Sequence, residues 1–179
     1  KGYDQLKRLL QAVSTFRDIG YVQGMNYIAA SLLWHCDEDV SYHIIIHLFD
    51  RLEAQSNYLN DLSGIQQHTD NFYHGYLKTN SGEIYANIQE KEILPLMLFP
   101  EWFVTITTSI IPLEHHIQVF YNMLQSGWPF LYKALQRYLR LLYPYFKDED
   151  FGSTVLIIKN AKGDDGRMID VNWSAILEN

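Results

Sequence analysis

Residues 20–27 read Gly-Tyr-Val-Gln-Gly-Met-Asn-Tyr and carry the clearest chemical signal in the chain. Tyr21 and Gln23 stand two positions apart, a spacing that turns both side chains to one side of an extended backbone. Gly24 has no Cβ, so it admits dihedrals closed to other residues and lets another segment approach closely. A carboxamide such as that of Gln23 both donates and accepts hydrogen bonds. Held on a short loop, it is suited to orienting a water molecule. The plainer reading is that Gln23 satisfies a helix N-terminus while Tyr21 packs.

The other candidate clusters are weaker. His43 and His47 have the i, i+4 spacing of a zinc-binding pair, but Ile44, Ile45 and Ile46 lie between them, so H-E-x-x-H lacks its glutamate. Helical histidines near a core are more often packed or solvated than liganded. His115 and His116 are adjacent and diverge on a helix, and His35 beside Cys36 has no further ligands. Asp148, Glu149 and Asp150 read as a solvated turn, and Asp164-Asp165-Gly166 misses the offsets of a calcium loop. No G-x-x-x-x-G-K-[ST] occurs, which argues against nucleotide binding by this chain alone.

The octet resembles the Y-x-Q-G motif of the TBC domain, the Rab GTPase-activating module. Residues on both sides extend the likeness: Gln5 to Ile19 before it, then Trp102-Phe103, Ser109 to Glu114, and Phe120 through Gly127-Trp128. The resemblance implies an all-α, irregular multi-helix fold. It also implies a role as a GTPase activator, with Gln23 inserted in trans to position the attacking water. Tyr21, Gly24, Met25 and Asn26 would then contact the partner or brace the loop. GTP and Mg2+ would be carried by a Rab-family small GTPase in its GTP-bound state, leaving the chain without a cofactor of its own. An arginine finger is worth ~10³ to 10⁵ in rate for such a reaction. The family's I-x-x-D-x-x-R motif is absent, however, and twenty residues precede Tyr21. Residues 1–179 are therefore expected to form one helical domain lacking its N-terminal part. Arg17 stands too near the loop to replace the missing arginine. A non-catalytic Rab-binding or scaffold module in membrane traffic is the alternative. At position 122 the family more often has Asp, and the Asn present here is expected to reflect a structural adjustment.

Helical periodicity accounts for the elements that must present the octet. Leu6, Leu9, Leu10, Val13 and Phe16 mark one face of a first helix, with Gly20 as its stop. Ile28, Ala29, Leu32 and Leu33 predict a second helix ending near His35. Asp37 is a candidate cap for a third, with Val40, Ile44, Leu48 and Leu52 on its stripe. Residues 55–64 read as a loop. Phe72, Tyr73, Tyr76 and Leu77 mark a helix broken at Asn80-Ser81-Gly82, and Ile84 and Ile88 a short one before Pro95. Pro100, Pro112 and Pro129 are placed to open helices, Gly127 to close one, and Pro144 to end the last. After Lys147 the character changes: Thr154 to Ile158 fits strand or helix, and Gly163 to Gly166 reads as a turn. Trp102, Phe103, Phe120 and Trp128 fit core positions better than interface anchors.

Composition narrows the function classes. A net charge of −7 and a pI near 5.4 argue against a nucleic-acid footprint. One cysteine, Cys36, excludes an internal disulfide and fits a reducing compartment. No apolar run nears the ~18 residues of a membrane span. The expectation is a cytoplasmic protein, not inserted in membranes but recruited to endomembranes through its partner.

Overall fold

The computed structural model describes residues 2–17, 20–58, 62–163 and 166–178. Helices α1 (Gly2–Arg17), α2 (Met25–His35) and α3 (Glu38–Leu52) pack against one another. A 3₁₀ turn, Ala54–Tyr58, leads to α4 (Ser63–Asp70). This helix runs through a π segment, Asn71–Leu77, into α5 (Lys78–Asn80) and breaks at Ser81 before α6 (Gly82–Glu90). Two short helices follow, α7 (Pro95–Leu98) and α8 (Pro100–Val104), each with its proline in the first turn, where a missing N–H removes no helical bond. A 3₁₀ turn, Leu113–His115, enters α9 (His116–Ser126). The last helices are α10 (Trp128–Phe146), α11 (Phe151–Asn160) and α12 (Trp173–Ile176). The fold is all-α. Among the described residues the only β pairing is the isolated bridge between Lys162 and Met168.

Packing explains where the periodic reading held and where it shifted. In α1, Leu9 and Val13 are buried, whereas Phe16 is largely exposed and meets Tyr42 edge-on. In α3, the buried stripe is Ser41, Ile45, Leu48, Phe49 and Leu52, and Val40 faces outward. The second face won because α3 is clasped by α1 and α2 on one side and by α9 on another. Asp37 occupies the N-cap backbone position of α3 but its side chain makes no capping bond.

Pro144 does not end α10, which continues to Phe146. A proline inside a helix removes one backbone bond and crowds the preceding turn. Here only half a turn remains, and that end is fastened from outside. Lys91 Nζ donates to the carbonyls of Phe146 (2.5 Å) and Lys147 (3.2 Å), and Asn87 Nδ2 donates to Lys147 (2.8 Å). The ambiguous run after Lys147 is helix α11, and Asp150 is its cap, accepting from the Ser153 N–H at 2.8 Å. That bond holds the Asp150 carboxyl below its ordinary pKa. Asp164 and Asp165 lie outside the described residues.

An aromatic array joins the halves of the molecule. Phe72 meets Phe99 and Phe103 edge-on, Trp102 meets Tyr138, and Trp128 lies over His68 with centroids 3.8 Å apart. Trp102, Phe103 and Phe120 are core residues, as their spacing predicts, while Trp128 is half-buried and donates to the Leu52 carbonyl at 3.0 Å. Asn122 is buried and donates its Nδ2 to the Leu177 carbonyl at 3.0 Å. A carboxylate there could accept but not donate, which is a physical reason for an amide at this position.

Candidate functional site

The loop between α1 and α2 is shaped by two backbone bonds, Met25 N–H to the Val22 carbonyl (3.1 Å) and Tyr27 N–H to the Gly24 carbonyl (3.1 Å). Gly24 sits between them at φ +118°, ψ −32°, a conformation L-residues rarely adopt. A Cβ at this position would lie 2.8 Å from Val104 Cγ1 and 3.1 Å from Val104 Cγ2. Both uses of glycine, dihedral freedom and close approach, therefore apply at one residue.

Asn26 holds the loop from the start of α2. Its Oδ1 accepts from the Gly24 N–H at 3.2 Å and from the Tyr21 hydroxyl at 3.1 Å. Beneath the loop, Met25 is turned into the core at 3% exposure, and its Sδ lies 3.4 Å from the Val22 N–H. The side chain of Met25 is thus an anchor and is not presented to a partner. Tyr21 is 58% exposed, and Gln23 is exposed too. Among the described residues nothing hydrogen-bonds the Gln23 carboxamide.

Tyr21 and Gln23 line the same open groove, about 620 Å³ in volume, with Val22, Gly24 and Tyr27 on one wall and Leu62, Glu101, Val104 and Thr105 opposite. A second groove of about 670 Å³ lies on the far side of Tyr21 against α1, reached by Leu6, Leu10 and Asn26. The first groove carries one carboxylate, Glu101, and no lysine or arginine among its described lining residues. It cannot by itself neutralise phosphate charge. What it offers is a neutral amide, open to solvent, on a loop whose neighbouring polar groups are already paired.

The remaining candidates are occupied or dispersed. His43 and His47 are exposed on α3, and no group of three metal-ligating side chains occurs among the described residues. His116 is buried, with Nδ1 2.6 Å from Ser31 Oγ and Nε2 2.7 Å from the Ile111 carbonyl. Burial lowers its pKa, and its two bonds fit a neutral ring that donates from Nε2. His35 Nε2 bonds the Leu113 carbonyl at 2.9 Å. Arg8 makes a paired bond to Glu38 (2.9 and 2.7 Å), Arg140 binds Ser81 and Asn80, and Arg137 binds the Ile176 and Glu178 carbonyls. The Arg17 side chain lies outside the described residues. Sequence reasoning placed the loop but missed its opposite wall. Leu62, Glu101, Val104 and Thr105 carry no local signal, since only the packing of the segment before α4 and of α8 against the loop brings them there.

Fold and loop together define a helical module that offers an exposed amide from a glycine-braced turn. The chain belongs to the Rab-GTPase-TBC domain family, whose model matches residues 1–157. It is 28% identical over 137 residues to TBC1 domain family member 4 of Mus musculus, covering 74% of this chain and 10% of that protein. It is 26% identical over 164 residues to TBC1 domain family member 1 of Mus musculus, covering 89% and 13%. With TBC1 domain family member 14 of Bos taurus it shares 24% identity over 150 residues, covering 83% and 22%. The chain thus spans less than a quarter of the length of these relatives. The Ypt/Rab-GAP domain of Gyp1p has the same fold, with a TM-score of 0.74 at 15% identity over 97% of this chain and 62% of that one. No helix among the described residues is long and apolar enough to cross a membrane.

Proposed function

We propose that this protein is a GTPase-activating protein for Rab-family small GTPases and acts in trans on their GTP-bound state. Gln23 enters the partner's site and holds the attacking water in line, while Tyr21 and Tyr27 flank it at the groove rim. The partner carries GTP and Mg2+, and the activator needs no cofactor of its own. The setting is vesicle traffic, with the protein cytoplasmic and drawn to endomembranes by its lipid-anchored partner. One observation carries this reading: the Gln23 carboxamide is exposed and without a hydrogen-bond partner among the described residues, while the loop around it is braced by Asn26, Met25 and Val104.

The test is single-turnover GTP hydrolysis by a panel of Rab proteins with and without the full-length protein, upstream sequence included. Gln23→Ala is expected to lower the stimulated rate about 10²-fold, the scale for removing one preorganised group from a transition state. Stimulation of no Rab at all, or an unaltered rate with the variant, rules the reading out. A second reading, a non-catalytic Rab-binding or scaffold module, is favoured by the lack of lysine and arginine in the described groove lining. Under it, the immobilised protein retains GTP-loaded Rab proteins and their hydrolysis is unchanged.

A further inference from the structure

We infer that Tyr58, a residue outside the motif and remote from the surface, is a positioning residue for Gln23. The inference rests on the reading above. Tyr58 is fully buried and its ring stacks on Phe49 with centroids 4.7 Å apart. A phenylalanine would fill that space equally well, so the hydroxyl needs its own explanation. It donates to the Val104 carbonyl at 3.0 Å. Val104 is the last residue of α8, where carbonyls have no partner within the helix.

The backbone beyond Val104 cannot simply extend the helix. Ile106 and Thr107, both β-branched, stand at φ 48° and φ 62°, a left-handed conformation unusual for such residues. Strain of this kind persists only where surrounding contacts enforce it. Here the Thr107 N–H donates to the Trp102 carbonyl at 2.7 Å and Thr108 Oγ1 to the Thr105 carbonyl at 2.7 Å. Val104 is thereby fixed from both directions, by the turn after it and by the Tyr58 hydroxyl on its carbonyl. Its side chain is the surface against which Gly24 lies, and Gly24 directly follows Gln23. Close-packed contacts transmit displacement instead of absorbing it. Losing the Tyr58 hydroxyl removes the donor from the part-buried Val104 carbonyl, so the end of α8 relaxes and the support behind Gly24 recedes. The groove surface offered to a partner is otherwise unchanged, so the effect falls on the chemical step and not on docking.

Tyr58→Phe tests this, because it retains the ring stack and deletes one oxygen. With a responsive Rab, at a temperature well below the variant's own Tm, the stimulated kcat is expected to fall about tenfold, within the roughly 10²-fold that ~1 Å of misplacement costs. The concentration giving half-maximal stimulation should stay within about twofold, as expected when only transition-state contacts are lost. Added to Gln23→Ala, Tyr58→Phe should cause no further loss, since it acts through that side chain. Val104→Ala is the second variant and should show the same fall in kcat and the same lack of additivity with Gln23→Ala; because Val104 also lines the groove, the unchanged half-maximal concentration is required of Tyr58→Phe alone. Wild-type kcat for Tyr58→Phe beside an impaired Gln23→Ala overturns the positioning role and leaves the activator reading intact. Multiplying losses in the double variant also overturn it, since they mark a general structural effect. If Gln23→Ala itself stimulates normally, the activator reading falls and the role of Tyr58 falls with it.

Discussion

Replacing Gly24 by alanine isolates the geometry on which the loop depends. The new Cβ meets two separate penalties. At φ +118°, ψ −32° an L-residue is strained by about 1–3 kcal/mol. In addition the methyl would stand 2.8 Å from Val104 Cγ1, well inside ordinary carbon contact, and overpacking of this kind costs about 1–3 kcal/mol. The expected loss is therefore about 2–6 kcal/mol in all, or roughly 4–24 °C in Tm for a domain of this size. Thermal melts followed by far-UV circular dichroism measure it. The two shares separate in a cycle with Val104→Ala: on that background Gly24→Ala should cost only the dihedral share, about 1–3 kcal/mol. A loss below about 0.5 kcal/mol on the native background, within the range of ordinary surface substitutions, would refute the account of this glycine. Equal losses on both backgrounds would refute the contact with Val104.

Two further outcomes follow from buried polar groups. Asn122→Asp removes the donor to the Leu177 carbonyl and sets a carboxylate beside it, so denaturant unfolding should show a loss of about 2–3 kcal/mol, relieved as the acid is protonated at low pH. His68 has its pKa lowered from 6.5 to about 4 by burial between α8 and α10, where its Nδ1 lies 3.0 Å from the Tyr132 hydroxyl. Its folded pKa lies below its unfolded one, so the unfolded state binds more protons in between. Stability from this group is complete above about pH 6.5 and falls as pH drops toward about 4. The full shift corresponds to roughly 3 kcal/mol, which solvent screening of the partly exposed ring reduces to about 1–2 kcal/mol. Unfolding curves of wild type and His68→Gln should converge by that amount across the window, and parallel curves would show that the ring titrates normally.

The sequence alone determined the elements whose rules are local. The helical class follows from apolar spacing, and the starts at Pro100 and beside Pro129 and the close at Gly127 follow from backbone restrictions that act within a turn. The loop at residues 20–24 was legible for the same reason, since glycine spacing constrains the chain wherever it occurs. Tertiary structure decided what depends on neighbours distant in sequence. It chose the stripe through Ile45 over the one through Val40, let α10 pass Pro144 by fastening its end to Lys91 and Asn87, and resolved residues 151–160 as helix. It also set the far wall of the groove. Val104 lies against Gly24 because a buried tyrosine and a left-handed turn hold it there, and no pattern within either segment records that contact. Periodicity reports how a segment curls, whereas close approach between segments depends on the packing of the whole chain.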